Sequence, residues 1–192
     1  MTIPLEEPLP KGFFWLNKPR YRMEGGALSV FTASKTDFWQ RTHYGFSRDD
    51  GHALLTSTTG DFTITVRTAF EYASQFDQCG LLIRIDALNW IKASTEREDD
   101  VRIRLGSVVT NLGYSDWATV DIDGGTAGMW YRIRSRENDF ILENSTNGAS
   151  WSQMRIAHLH NRQRPLNIGL YACSPNTGGF RAVFSDFSID ED

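Results

Sequence analysis

The chain has 192 residues, of which 40% are hydrophobic and 23% charged, with a formal net charge of -4. A chain of this size buries roughly 70% of its unfolded surface, enough for one core without disulfide staples, so a single domain over 1–192 is expected, with 1–12 as a flexible N-terminal segment. The charge excludes general nucleic-acid binding, which runs on clustered Lys and Arg, and no apolar run approaches the ~20 residues of a membrane helix. The start MTIPLEEPLPKGFFW has acids and prolines where an export signal has a basic start and an apolar core, so a cytoplasmic protein is expected.

In chain order, period-two alternation begins at 27–32 and returns at 52–58. It is clearest where Phe62, Ile64, Val66, Thr68 and Phe70 alternate with Thr63, Thr65, Arg67, Ala69 and Glu71, one face apolar and the other wet. Further runs lie at 80–86, 89–96, 101–109, 117–122, 129–136, 139–145, 151–157, 166–173 and 180–189. Turn chemistry separates them, as at Asp49-Asp50-Gly51, Asp123-Gly124-Gly125 and Asn176-Thr177-Gly178-Gly179. No helical period appears. Many short strands at near-regular spacing predict an all-β protein, a two-sheet antiparallel jelly-roll sandwich with about six or seven strands per sheet. Cys79 and Cys173 each fall inside a strand and read as small buried hydrophobes rather than a bridge.

The run FDQCGLLIRIDALNWIKASTERE from Phe76 to Glu98, and SVVTNLGYSDWATV from Ser107 to Val120, carry a family likeness. With Thr36-Asp37-Phe38-Trp39, Tyr44-Gly45 and the Ser145 to Trp151 turn, they make the stretch from about Phe14 to Ile189 resemble the regulation-of-enolase protein family. The resemblance implies the concanavalin A-like lectin/glucanase jelly roll and a link to sugar metabolism. It implies no reaction.

Motifs for catalysis are sparse. Glycosidases of this jelly roll place paired carboxylates on one strand, and the Glu-x-Asp-x-Glu spacing is absent here. Asp121-Ile122-Asp123 and Glu96-Arg97-Glu98 come nearest, and the density of like charge around them reads as a solvated strand end. There is no Gly-x-Ser-x-Gly elbow, and Cys79 sits in an apolar run that blunts a thiol. His158 and His160, beside Arg155 and Arg162, supply two imidazoles where zinc needs three or four ligands. Neither a catalytic set, a metal site nor a cofactor is expected. In the Ser145 to Trp151 turn, Asn147-Gly148 suits a type I′ hairpin and Trp151 a structural anchor.

The wet face of the central strands carries the ligand expectation. Trp90, Lys92 and Glu96 share a parity, as do Arg102 with Arg104 and Arg132, Arg134 with Arg136, and Trp39, Trp117, Asp77 and Gln78 fall in the segments that bear the resemblance. An exposed indole stacks on a sugar's C–H face while Arg, Lys and Glu bond its hydroxyls or a phosphate. The predicted ligand residues are therefore Trp39, Asp77, Gln78, Trp90, Lys92, Glu96, Trp117 and Arg134. The expected function is non-catalytic binding of a small carbohydrate or sugar phosphate, with a regulatory role in sugar metabolism; the cationic stripe of Arg84, Lys92, Arg102, Arg104, Arg132, Arg134 and Arg136 favours a phosphorylated or acidic sugar over a neutral polymer. Two rivals stand beside it: a glycoside hydrolase pairing Glu96 with Asp77 or Asp116, and a module whose Arg and Trp surface meets a protein partner.

Overall fold

The computed structural model describes residues 1–160 and 165–191. Arg162 and the terminal Asp192 lie outside the described residues. Two seven-stranded antiparallel sheets pack face to face. The front sheet runs β1 (Phe14–Leu16), β6 (His52–Thr58), β15 (Leu166–Cys173), β8 (Gln78–Asp86), β9 (Asn89–Arg97), β10 (Arg102–Asn111) and β11 (Tyr114–Asp123). The back sheet runs β14 (Ser152–His158), β13 (Asp139–Ser145), β12 (Gly128–Arg136), β7 (Phe62–Glu71), β16 (Arg181–Glu191), β3 (Ala27–Phe31) and β2 (Arg20–Glu24). A small hairpin of β4 (Phe38–Gln40) and β5 (Ser47–Asp49) stands apart from both. The chain is an all-β jelly-roll sandwich.

Alternation decides what fills the space between the sheets. Phe62, Ile64, Val66 and Phe70 of β7 meet Leu81 and Ile83 of β8, Ile91 and Ala93 of β9, and Leu170 and Ala172 of β15 in one continuous core. Within residues 1–12, Ile3 N–H donates to Phe187 O at 2.7 Å, and Leu5 is buried in that core.

The outward parity of the front sheet is apolar as well. Leu55, Leu82, Trp90, Val108, Tyr171 and Cys173 form a second cluster, closed from outside by Phe38 and Trp39. The segment 33–51 thus lies as a strap across the front sheet. His52 fastens its start, with the ring Nε2 accepting Ala33 N–H at 3.0 Å. Its middle is held where Gln40 N–H donates to Ser115 Oγ at 2.9 Å, and that hydroxyl lies 2.7 Å from Thr110 Oγ1. Its end requires Gly51, where a Cβ would come within 2.4 Å of the Phe38 ring and 2.6 Å of Cys173 Sγ. Both cysteines are free and buried, and burial pushes both thiols up.

The Ser145 to Trp151 turn is built differently from the expected type I′ hairpin. Only Gly148 takes positive φ, and the turn is held by Ser145 Oγ, which accepts the N–H groups of Asn147 and Gly148 at 3.2 and 2.9 Å. Trp151 does not pin the turn to the core. It lies under the Arg132 guanidinium, 4.2 Å from it.

Candidate functional site

The strap covers the Trp90 end of β9 and leaves the Glu96 end open. Because i and i+2 share a face, Trp90, Lys92, Ser94 and Glu96 all point outward from the front sheet, and the β8–β9 register sets Gln78 directly opposite Glu96. Above them is a cavity of about 590 Å³. Gln78, Lys92 and Glu96 form its floor. Asp37, Trp39, Tyr44, Phe46 and Arg48 of the strap form one side, and Trp117 of β11 stands on the wall.

The floor is one hydrogen-bonded chain. Lys92 Nζ donates to Phe38 O at 2.8 Å, to Gln78 Oε1 at 2.8 Å and to Asp37 Oδ1 at 3.3 Å. It also sits 5.6 Å from the Trp90 ring and 5.8 Å from the Tyr171 ring, within the reach of cation–π attraction. An ammonium has three N–H donors, and all three are taken. With Oε1 facing Lys92 and the Tyr171 hydroxyl, the Gln78 amide turns its Nε2 to Glu96 Oε2 at 2.7 Å and to Phe76 O at 3.2 Å.

Removal from water is the main influence on Glu96 and raises its pKa from the ordinary 4.5 to about 8; Lys92 pulls it down and Asp37 pushes it up. At neutral pH Glu96 therefore carries a proton and can donate. An acid whose pKa is higher folded than unfolded binds more protons in the folded state, so its contribution to stability is present below about 4.5 and is lost as pH rises through about 8. Glu96→Gln removes that dependence. Wild type should lose thermal stability relative to this variant between pH 5 and pH 8.5, read from paired melting curves; a constant gap across that range would mean that Glu96 titrates normally.

The wall is aromatic. Trp39 and Trp117 meet edge to face with centroids 6.4 Å apart, and Trp39 Nε1–H is satisfied by Thr42 O at 3.1 Å. Tyr44 touches Trp39 edge-on at 5.4 Å and stacks on Phe46 at 5.9 Å, yet 54% of Tyr44 and 44% of Phe46 is exposed at the rim. The Arg104 guanidinium lies 5.3 Å from the Trp117 ring.

Of the eight predicted ligand residues, the structure brings Trp39, Gln78, Lys92, Glu96 and Trp117 around this one cavity. Three do not reach it. Trp90 is 0% exposed: it lies beneath Phe38, centroids 6.1 Å apart, and its Nε1–H donates to Ala87 O at 3.2 Å, so it belongs to the core. Arg134 projects from the back sheet, where Glu143 binds it at 3.1 Å and Arg132 at 2.7 Å. Asp77 is fully buried, its carboxylate accepting the N–H groups of Ala73 and Ser74 at 2.8 and 2.7 Å and the Ser174 hydroxyl at 2.7 Å.

The expected cationic stripe is likewise divided. Arg84 binds Asp49 at 2.6 Å, Arg102 binds Asp99 at 2.7 Å, and Arg132 and Arg134 lie on the other sheet. Parity reports which side of its own strand a residue takes, not which sheet carries it. The proposed partners of Glu96 separate too, since Asp77 is a loop anchor and Asp116 binds Arg155 at 2.7 Å. The carboxylate that shares the cavity with Glu96 is Asp37. Asp37 and Tyr44 are absent from the predicted ligand residues although both stand in the short segments that carry the family resemblance, the one signal that could have found them; Phe46 and Arg48 have none. His158 and His160 face each other at 5.4 Å, with His158 bound to Asp139 at 2.6 Å. Among the described residues, no group of three His, Cys, Asp or Glu side chains is placed to hold a metal ion.

A family model described as a protein of unknown function, DUF1349, matches residues 15–192. The chain belongs to this family. This DUF1349 chain is 38% identical over 176 residues, 91% of its own length and 87% of the relative's, to the Saccharomyces cerevisiae protein called Regulation of enolase protein 1. A crystal structure of a functionally unknown protein from Saccharomyces cerevisiae is similar over 94% of this chain and 97% of that one, with a TM-score of 0.87 and 37% identity. The fold extends much further than the sequence. All of this chain superposes on 40% of a Bacteroides ovatus protein described as xyloglucan PUL GH43B, with a TM-score of 0.76 at 15% identity. At that identity the likeness is one of architecture.

Proposed function

We propose that the DUF1349 cavity binds a neutral carbohydrate without cutting it, and that the chain serves a regulatory role through that binding. The observation that carries this reading is the pairing of an aromatic wall, Trp39, Trp117 and Tyr44, with the Glu96 carboxyl on the floor, around about 590 Å³. That volume falls within the roughly 300–1,000 Å³ of small-molecule sites. Rings suit the C–H face of a sugar, and Glu96, held in place by the saturated Gln78 amide, offers its remaining hydrogen-bonding capacity to the hydroxyls.

The charge balance favours a neutral sugar over a sugar phosphate. Lys92 has spent its three donors, and Arg48 is held by Asp50 at 3.3 Å and by Lys35 O at 2.6 Å. A phosphate would have to displace one of these sets. The regulatory part of the reading leans on the 38% identical relative, whose name is Regulation of enolase protein 1.

Calorimetric titration of the full chain with neutral monosaccharides and with sugar phosphates tests it. Trp117→Ala should weaken the neutral ligand by about tenfold, the value of one lost stacking contact. Preference for the phosphorylated sugars, or indifference to the substitution, would sink the neutral-sugar reading.

One observation favours a second reading, glycoside cleavage: Glu96 holds a proton at neutral pH and a second carboxylate, Asp37, shares its cavity. Against it, Asp37 Oδ1 is already bonded to Lys92 and to Phe38 N–H at 2.7 Å, which dulls it as a nucleophile or base. Turnover of aryl glycosides that disappears in Glu96→Gln would establish this second reading and displace the first.

A further inference from the structure

Beside the cavity just described lies another, of about 530 Å³, whose lining includes Thr42, His43, Tyr114 and Asp116. The two share Trp39, Tyr44 and Trp117, so they are the two sides of one aromatic wall. Tyr44 forms the top of that wall and stands half in solvent. On the far side Tyr114 is 61% exposed, with the Arg41 guanidinium 5.5 Å from its ring.

The loop that raises Tyr44 is wound tightly and at a conformational cost. Arg41, His43 and Gly45 all take positive φ, at 55°, 62° and 74°, and two of the three are not glycine. Arg41 N–H donates to Phe46 O and Gly45 N–H to Arg41 O, both at 2.8 Å, which closes the loop and lifts the Tyr44 ring between the compartments. This winding sets the Tyr44 ring edge-on to Trp39 at 5.4 Å and stacked on Phe46 at 5.9 Å, with 54% of the residue in solvent.

We infer that the site is a two-compartment groove for a linear oligosaccharide, in which one sugar occupies the Lys92–Glu96 cavity, the chain passes over Tyr44, and a further sugar stacks on Tyr114. This rests on the carbohydrate reading above and specifies the ligand's form. A protein partner would find two hollows divided by a ridge where interfaces offer a packed hot spot. A sugar chain, with an apolar face on each ring and hydroxyls at its edges, fits successive compartments that each pair an aromatic ring with polar side chains.

The test is titration of the full chain with malto-, cello- and xylo-oligosaccharides, each from monosaccharide to tetrasaccharide. In the series that binds, Kd should fall by about tenfold or more with length. Tyr114→Ala should abolish that gain and leave the monosaccharide Kd unchanged, while Tyr114→Phe should retain it. Tyr114 is exposed, so the variants should fold, and unchanged circular dichroism confirms that they do. Equal affinity at every length, or a length gain that survives Tyr114→Ala, overturns the two-compartment groove and leaves the single-cavity reading standing. Binding of no sugar in any series overturns both.

Discussion

Trp90→Ala should destabilise the domain by about 3–5 kcal/mol, the range for deleting a buried Trp or Phe side chain from a core. For a chain of this length each kcal/mol moves Tm by roughly 2–4 °C, so the melting temperature should fall on the order of 10 °C. Trp90 is sealed beneath Phe38, and its ring also supports the Lys92 ammonium at 5.6 Å. The alanine variant therefore opens a cavity under the strap, strands the Ala87 carbonyl that Nε1–H had satisfied, and removes one cation–π partner. Trp90→Phe keeps most of the packing and should lose markedly less. Urea unfolding separates the cases: a lowered midpoint at unchanged slope is the expected result. A change below about 1 kcal/mol for the alanine variant would mean that this ring is not part of a packed core.

Trp90 also shows where sequence reasoning reached its limit. Alternation identified the long strands well: 52–58, 139–145 and 166–173 coincide with β6, β13 and β15. It missed β1, β4 and β5, which have three residues each, too few for a period to show, and β2, whose alternation runs over only five residues with Tyr21 and Met23 as its apolar positions. The missing hairpin mattered most. Without β4 and β5 in view, the outward parity of β8 and β9 reads as facing water, and an indole there as a binding platform. The front sheet carries a warning in Leu82 of β8, Val108 of β10, and Tyr171 and Cys173 of β15, which are apolar on the outward parity too, because strands buried on both faces lose their clean alternation. Arg134 failed for a different reason. Its outward orientation was legible, but sheet membership depends on long-range pairing that one strand's pattern does not encode. Gln78, Lys92 and Glu96 converged because two of them share a strand and the third pairs with it in register.

Lys92 should be the most sensitive polar residue of the site. Only 4% of its side chain is exposed, and its ammonium answers the Asp37 carboxylate, the Phe38 carbonyl and the Gln78 amide oxygen at once. Lys92→Met keeps the length and the apolar stem but deletes the charge, leaving Asp37 as an uncompensated, largely buried anion, taking the ammonium from the Phe38 carbonyl and leaving Gln78 Oε1 with the Tyr171 hydroxyl alone. Breaking a buried pair from one side costs about 3–5 kcal/mol, so Tm should again fall on the order of 10 °C. The loss should be local first, because Asp37 and Phe38 belong to the strap. Limited proteolysis should cut within 33–51 in the variant under conditions that leave wild type intact. Asp37→Asn tests the cause. If the damage comes from stranding the carboxylate, the double variant Lys92→Met, Asp37→Asn should be more stable than the sum of the single losses predicts, since neutralising Asp37 removes the charge that Lys92 had balanced. Strict additivity would show that Lys92 acts through its contacts with Phe38 and Gln78 and not through the ion pair, and the electrostatic account of the cavity floor would have to be abandoned.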